Sequence, residues 1–491
     1  MPKIPDRWTL PDGRASSRLI CGLWQVADLE KDGPTIDPEE GADALEDYAK
    51  AGFDTFDMAD HYGSAELITG RLLSRYNNPT GRPLAFTKWC PPPGPMTAEV
   101  VRRGVADRLA RLGVERIDLL QFHWWTFEHL AWLDALHELT RLRDEGLIAN
   151  IGLTNFDAAH LRLALSDGIP IATNQVSFSL IDRRAAGDLS DLCRARGVKL
   201  LAYGTLCGGF LSERWLGRPE PDSMPDWSRS KYKRFIDAAG GWDAFQGILR
   251  AAAQIAARHG VSIANVATRW VLDHDTVAAS IIGARLGESE HRDDNLGTFG
   301  FALDASDHAA LESAFVPTTP IPGDCGDEYR RPPFLTATGD LSHHLSEVPK
   351  VFTAIPVPGH TDRWRLSSGS VWEPLAGYSR AVRVGNTIRV SGTTATDGTS
   401  RRVAPGDPAA QATFILDKIA AAIAALGGRM EDVIQTRVYL ADAAMWEPVS
   451  RAHGRVFGDI LPANTLFAVG HLIGEYEVEI EAEAIGRGAA L

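Results

Sequence analysis

At 491 residues the chain exceeds what one ordinary core of about 100–200 residues supports, so at least two domains are expected, a large barrel counting as one. Hydrophobic residues make up 44% and charged residues 23%, a globular composition that excludes a disordered, collagen-like or coiled-coil chain. Lys and Arg number 50 against 64 Asp and Glu, a net charge of −14, so bulk charge supports neither a nucleic-acid nor an anionic-membrane partner.

Five cysteines, Cys21, Cys90, Cys193, Cys207 and Cys325, are scattered and odd in number and show no C-x-x-C spacing. Neither a disulfide framework nor a metal site is expected, and a reduced cytoplasm fits best. The N-terminus MPKIPDRWTLPDGR has no apolar h-region, and no stretch approaches the roughly 18–20 apolar residues of a membrane span.

In chain order, short apolar runs at 19–23, 53–57, 84–88, 119–123, 149–153, 171–175, 199–203 and 279–283 alternate with segments of helical period such as 38–51, 97–112 and 130–145. Several of these segments begin with an acid or Pro and end near Gly, as helix ends prefer. Eight such units over roughly 300 residues predict an α/β fold, a (β/α)8 TIM barrel. The segment 211–241 is long, Pro-rich and basic near its end, and is expected to be a loop able to fold over a ligand. Around 316–357 Pro, Gly and charges mix without apolar period, which puts a domain boundary near 345, giving domains 1–345 and 346–491. Beyond it, runs at 381–384 and 387–391 flank a Gly-Asn turn, and Asp407-Pro408 opens a helix ending at Gly427-Gly428. A strand at 433–440, a helix at 445–457 and strands at 465–469 and 477–485 complete a ββαβαββ, α+β module.

In a (β/α)8 barrel the chemistry sits where strands end and βα loops begin. The polar residues there are Asp57, Lys88, His123, Asn155, Gln175 and Tyr203, with Tyr62 on the loop after Asp57. Their combination suits carbonyl reduction, because hydride delivered to a carbonyl carbon leaves an oxygen that needs a proton donor within hydrogen-bond reach. Tyr62 is the candidate donor. A phenol of pKa ~10 is reluctant at neutral pH, and the Lys88 ammonium would favour its phenolate. Asp57 would orient Lys88, and His123 would polarise the same oxygen through a ring N–H. Thr154, Asn155 and Gln175 offer hydroxyl and amide groups for a nicotinamide carboxamide, and Tyr203 offers a flat face for stacking. After the last strand, Gly283-Ala284 amides and the Arg285 guanidinium suit adenosine phosphate, which favours NADPH over NADH, with NADH still open. Trp24, Trp89 and Trp124-Trp125 would make an aromatic mouth for a small-molecule carbonyl substrate.

The segments FDMADHYG, FTKW, DLLQFHWW, GLIANIGLTNF, NQVSFSLIDRR, LAYGTLCGGFL and IIGARLG…DNLG occur in that order over about residues 15–320, and together they resemble the aldo-keto reductase family. The resemblance implies a catalytic tetrad of Asp57, Tyr62, Lys88 and His123. It also implies cofactor contacts from Thr154, Asn155, Gln175, Tyr203, Gly204, Leu206, Gly283, Arg285 and Asn295, on a fold without a G-x-G-x-x-G fingerprint. GYSRAVRVGNTIRVSGTTA, EDVIQTRVYLAD and LPANT…VEIEAEAI, over about 360–487, look like the Rid (reactive-intermediate deaminase, YjgF-like) family. That resemblance implies a chorismate-mutase-like module, a homotrimer and a cleft lined by Tyr378, Glu479 and Asn464, with Asn464 standing where the family's P-A-R motif has Arg. Asn cannot form the charged bidentate pair with a carboxylate, which weighs against imino-acid hydrolysis and leaves the module's role open between oligomerisation and ligand binding. Two other readings are a nucleotide-sensing regulatory protein and a bifunctional reductase and imine hydrolase.

Overall fold

The eight apolar runs form parallel strands that close into a ring. The computed structural model describes residues 4–26, 36–78, 81–224, 227–284, 291–330 and 348–486. A hairpin of β1 (Arg7–Thr9) and β2 (Ala15–Ser17), which the apolar pattern does not predict, precedes the ring. The barrel strands are β3 (Leu19–Gly22), β4 (Thr55–Ala59), β5 (Leu84–Trp89), β6 (Ile117–His123), β7 (Ile148–Thr154), β8 (Ile171–Ser177), β9 (Lys199–Tyr203) and β10 (Val277–Gly283). Pairing of β10 with β3 closes the barrel. Strands β4, β5 and β6 are buried at every position, as expected of parallel strands covered on both faces.

The outer layer starts with α1 (Pro38–Lys50), where the Asp37 carboxylate accepts from the Glu39 and Glu40 amides. It continues with α2 (Ala65–Ser74) and α3 (Ala98–Leu112), the latter capped by Thr97 and ended by Gly113 at φ +62°. Next come α4 (Ala131–Asp144), α5 (Ala158–Ser166) and α6 (Asp188–Arg196). The expected loop at 211–241 is corrected in part: it holds a helix, α7 (Trp227–Ala238), because Tyr232, Phe235 and Ile236 recur at helical spacing and are buried. The remaining barrel helices are α8 (Gly241–His259), α9 (Ile263–Leu272), α10 (Arg292–Leu296) and α11 (Ala305–Phe315).

The expected boundary at 345 lies outside the described residues. Past it, β11 (Ile355–Pro356), β12 (Arg363–Leu366) and α12 (Trp372–Ala376) precede the module read from the sequence. That module comprises β13 (Ala381–Val384), β14 (Thr387–Thr394), α13 (Pro408–Ala425), β15 (Val433–Leu440), α14 (Trp446–Phe457), β16 (Ala463–Ala468) and β17 (Val478–Ile485). Its seven-stranded sheet runs β11-β12-β13-β14-β17-β15-β16, with β16 at an edge and parallel to β15. The helix α13 packs on β14 and β17 with its inner side and on α5 of the barrel with another.

This docking joins the apolar cores of the two parts and adds polar pairs at its edge. Arg162 and Ser166 donate to the Asp407 carboxylate at 2.7 Å, while Arg401 donates through two nitrogens to Asp167, each at 2.8 Å, alongside His137 and the Ala404 amide. Hydrogen bonds from these partners hold the Asp167 and Asp407 carboxyls below the usual range against the opposing effect of burial. His160 on α5 lies between Asp157 and Asp417 with Arg455 near Asp157, and the two carboxylates outweigh burial and raise its pKa. A lowered acid pKa contributes stability that is lost as pH falls through the folded value, and a raised His pKa contributes stability that is lost as pH rises through it. Docking is therefore expected to be tightest between these limits. Hydrogen exchange in α5 and α13 across pH checks this, and a flat profile would refute it.

Candidate active site

Strand alternation sends the acid of β4 and the base of β5 into the barrel, where Lys88 donates to Asp57 Oδ2 and to the Met58 carbonyl at 3.2 Å. Asp57 and Lys88 are only 3% and 5% exposed, so each charge depends on the other. The second oxygen of Asp57 accepts from Gln121 Nε2 at 2.8 Å and from Gln175 Nε2 at 2.7 Å, and Gln175 also donates to Gln121 Oε1. Gln121 is a residue the sequence reading missed, although it stands two before His123 and so shares its strand face.

The β4–α2 loop brings Tyr62 over this pair, with Lys88 Nζ 5.2 Å from its ring centroid. The ring is packed edge-on against Trp24 at 5.0 Å and His61 at 4.8 Å. The loop is tied down by Asp60, which accepts from the Cys90 amide and pairs with His61 Nδ1 at 3.0 Å. Donor atoms of Asp60, His61 and Cys90 lie within 4.8 Å of one another, but both carboxylate oxygens are already engaged.

His123 closes β6 and is 2% exposed. Its Nδ1 lies 3.3 Å from the Thr154 carbonyl oxygen, which can only accept, so Nδ1 carries the proton and Nε2 presents a lone pair. Nε2 has no hydrogen-bond partner among the described residues. Burial, with Arg330, His61 and Lys88 adding to it, holds the imidazole well below its ordinary pKa and so favours the neutral ring. The expected ring N–H toward the substrate oxygen is thus replaced by an acceptor.

Several of the residues expected to contact a cofactor also bond within the protein. The Thr154 hydroxyl donates to the Gln175 carbonyl at 3.2 Å, and the Gln175 amide serves Asp57. Tyr203 donates to Asn155 Oδ1 at 2.8 Å, and burial, with Tyr329 and Glu328 nearby, pushes its pKa well up. Lys231 Nζ stands over one face of the Tyr203 ring, 5.4 Å from its centroid. Asn155 sits at φ +60° and has no partner for Nδ2 among the described residues. Gly204, at φ +68°, faces the Tyr232 hydroxyl, and Leu206 follows it half-buried. Gly283 ends β10 beside Gly22, Asn295 lies within α10, and Arg285 falls outside the described residues.

The aromatic mouth is corrected by the same alternation. Trp89 follows inward-pointing Lys88 and therefore points outward, so close to Gly104 of α3 that a Cβ there would lie 2.5 Å from its ring. Trp124 likewise points out, stacks on Phe122 and donates to the His129 carbonyl. Trp24 and Trp125 remain at the site, with Trp125 edge-on to His123 at 4.2 Å.

A turn at 323–330 completes the mouth. Tyr329 packs 5.6 Å from His123 and bonds Lys231, while Glu328 pairs with Arg184 at 3.0 Å. Arg330 donates to the Asn155 carbonyl at 2.5 Å and to the Trp124 carbonyl at 2.7 Å. At Gly326, φ +91°, a Cβ would lie 2.1 Å from the Asn155 oxygen, so only glycine allows this approach. No local pattern in this Pro- and Gly-rich stretch marked it as part of a site.

In the second domain, Arg380 is buried near Tyr378, 5.9 Å from its ring, and donates to the Gly392 carbonyl at 2.5 Å. Burial raises the Glu479 carboxyl, with Arg380 opposing. Asn464 lies on β16, with β15 between it and Glu479 on β17, and bonds Thr436 at 3.2 Å. One chain therefore does not bring Asn464 together with Tyr378 and Glu479.

Residues 18–315 match the family model described as aldo/keto reductase family, and residues 369–486 match the one described as endoribonuclease L-PSP. The chain is 36% identical over 179 residues to flagellar radial spoke protein 5 of Chlamydomonas reinhardtii, covering 32% of this chain but only 34% of that relative's length. It is 25% identical over 308 residues to an NADH-specific methylglyoxal reductase of Escherichia coli, covering 55% of this chain and 87% of that one. A solved glycerol dehydrogenase from Gluconobacter oxydans covers 65% of this chain and 98% of its own, with a TM-score of 0.53 at 24% identity, a likeness of fold.

Proposed function

Since the chain belongs to the aldo/keto reductase family, we propose that it reduces an aldehyde or ketone to the alcohol with NADPH or NADH, Tyr62 supplying the proton. The observation that carries the reading is the convergence of Asp57, Lys88 and Tyr62 beside the unpartnered Nε2 of His123.

The residues present fit a nicotinamide group. Asn155 keeps Nδ2 available for a carboxamide oxygen, because Tyr203, Arg330 and the Gln175 carbonyl hold its other polar atoms. When bound, the cofactor supplies the hydride. Tyr62 then gives its phenolic proton to the oxygen of the reduced carbon, and the adjacent Lys88 ammonium stabilises the phenolate that remains. Asp57, held by Gln121 and Gln175, keeps Lys88 aimed at the ring. His123 Nε2 accepts from the new hydroxyl and so orients the product oxygen, and Trp24 and Trp125 flank the carbonyl compound.

The test is oxidation of NADPH and NADH, followed by absorbance, against aldehydes, ketones and sugars. Failure to oxidise either nucleotide despite measured binding would favour a nucleotide-sensing protein. Arg285 is proposed to read the 2′-phosphate of NADPH, so Arg285→Ala is expected to weaken NADPH more than NADH. Equal losses in a fluorescence titration would remove that role.

The second domain is proposed to make the chain a homotrimer. On and beyond the edge strand β16, Leu461, Phe467, Val469 and Ile473 are exposed, an apolar surface that association would cover. Sedimentation equilibrium is expected to give three times the chain mass, and a monomer at micromolar concentration would refute it. A reducing cytoplasm is proposed as its setting, on the scattered, odd-numbered cysteines. Among the described residues no helix is long and apolar enough to cross a membrane.

A further inference from the structure

The rim of the barrel mouth is touched directly by the second domain. Arg455 on α14 places Nη1 3.6 Å from Asp157 Oδ2 and 3.6 Å from Asp324 Oδ2. Asp157 stands two residues after Asn155 and caps α5 by accepting from the His160 amide at 2.8 Å. Its side chain is 4% exposed, and a carboxylate so buried needs compensating charge. That charge comes from His160, at 2.7 Å, and from Arg455 across the domain boundary.

A second line of contacts starts at α13. Asp417 bonds His160 Nε2 at 3.0 Å, and the His160 ring stacks on Phe127 at 3.4 Å between centroids. Arg330 lies 4.3 Å over the Phe127 ring and holds the Asn155 and Trp124 carbonyls. Both lines end on the Asn155 peptide, which sits in the left-handed region that asparagine tolerates, with its carbonyl held by Arg330. The domains are also joined by the apolar contact of α13 with α5 and by the pairs of Asp407 and Asp167 with Arg162 and Arg401, so docking has contacts besides Arg455.

We infer that Arg455 is a positioning residue for the reductase site: through Asp157 and Asp324 it fixes the Asn155 loop and the 323–330 turn, making the second domain part of the cofactor-binding apparatus. The inference rests on the reading of Asn155 as the carboxamide contact. In the full chain, Arg455→Met is expected to raise the KM for NADPH or NADH roughly tenfold with kcat held within about twofold, and Arg455→Lys to restore most of the loss. Hydrogen exchange read by mass spectrometry is expected to quicken at 155–157 and 323–330 and to stay unchanged along α13. Unchanged KM in a folded Arg455→Met chain would overturn the inference, whether or not exchange quickens. Equal loosening of all of α5 and α13 would also overturn it, by making Arg455 a general docking residue. The exchange readout needs no turnover. If the unmodified chain neither bound nor oxidised the nucleotides, the reading of the site would fall, and quickened or unchanged rim exchange would still decide for or against the coupling.

Discussion

Tyr62→Phe is expected to lower kcat for carbonyl reduction by about 10²–10⁴-fold, the range for removal of a general acid, while leaving nucleotide binding nearly unchanged. The reasoning is geometric. Phenylalanine keeps the ring that packs against Trp24 and His61, so the β4–α2 loop retains its support and only the hydroxyl is lost. Steady-state rates with a carbonyl substrate found by the nucleotide-oxidation screen, combined with a nucleotide titration, separate the two effects. Turnover within a few-fold of the unmodified chain would sink Tyr62 as proton donor. A large loss of nucleotide affinity would instead mean that the hydroxyl orders the cofactor site.

Asp57→Ala is expected to cost about 3–5 kcal/mol of stability, because it leaves the Lys88 ammonium buried without its anion. The same change strips Gln121 and Gln175 of a shared acceptor in a region with no solvent to replace it. Activity should fall with it, since nothing then aims Lys88 at the Tyr62 ring. Chemical denaturation of the full chain measures the loss. A cost below about 1 kcal/mol would show that Lys88 finds another anion or loses its proton.

Lys88→Met beside Asp57→Ala distinguishes the electrostatic part from the packing part. Because the two residues touch, their effects are expected to be strongly non-additive. Additive losses would mean that the pair is held apart in solution.

The barrel and the inward residues at its strand ends were legible because each follows from a local rule. Apolar runs separated by helical segments leave few closed arrangements, and a polar residue at the end of such a run lies at the mouth. Asp57, Lys88 and His123 were found in that way. Trp89 and Trp124 were misread although the needed information was local: neighbours on a strand face opposite ways, so residues after Lys88 and His123 pack against the helices. Gln121 could have been recovered by the same rule.

Sequence by itself determined the two-part organisation, the closed barrel, the order of the sheet-forming segments and the inward-pointing catalytic candidates, because these depend on periodicity and on residue chemistry within a few positions. Only the tertiary structure decided how polar groups were paired: that Gln175 and Thr154 serve the protein's own groups, that His123 turns Nδ1 to the Thr154 carbonyl and leaves Nε2 without a partner among the described residues, that the 323–330 turn packs at the mouth, and that Arg455 reaches the barrel rim. Arg330 meets the Trp124 carbonyl across 206 positions of chain. Such pairings arise when burial removes water and forces each donor and charge to find whatever partner the packed fold brings near, and no local pattern carries that information.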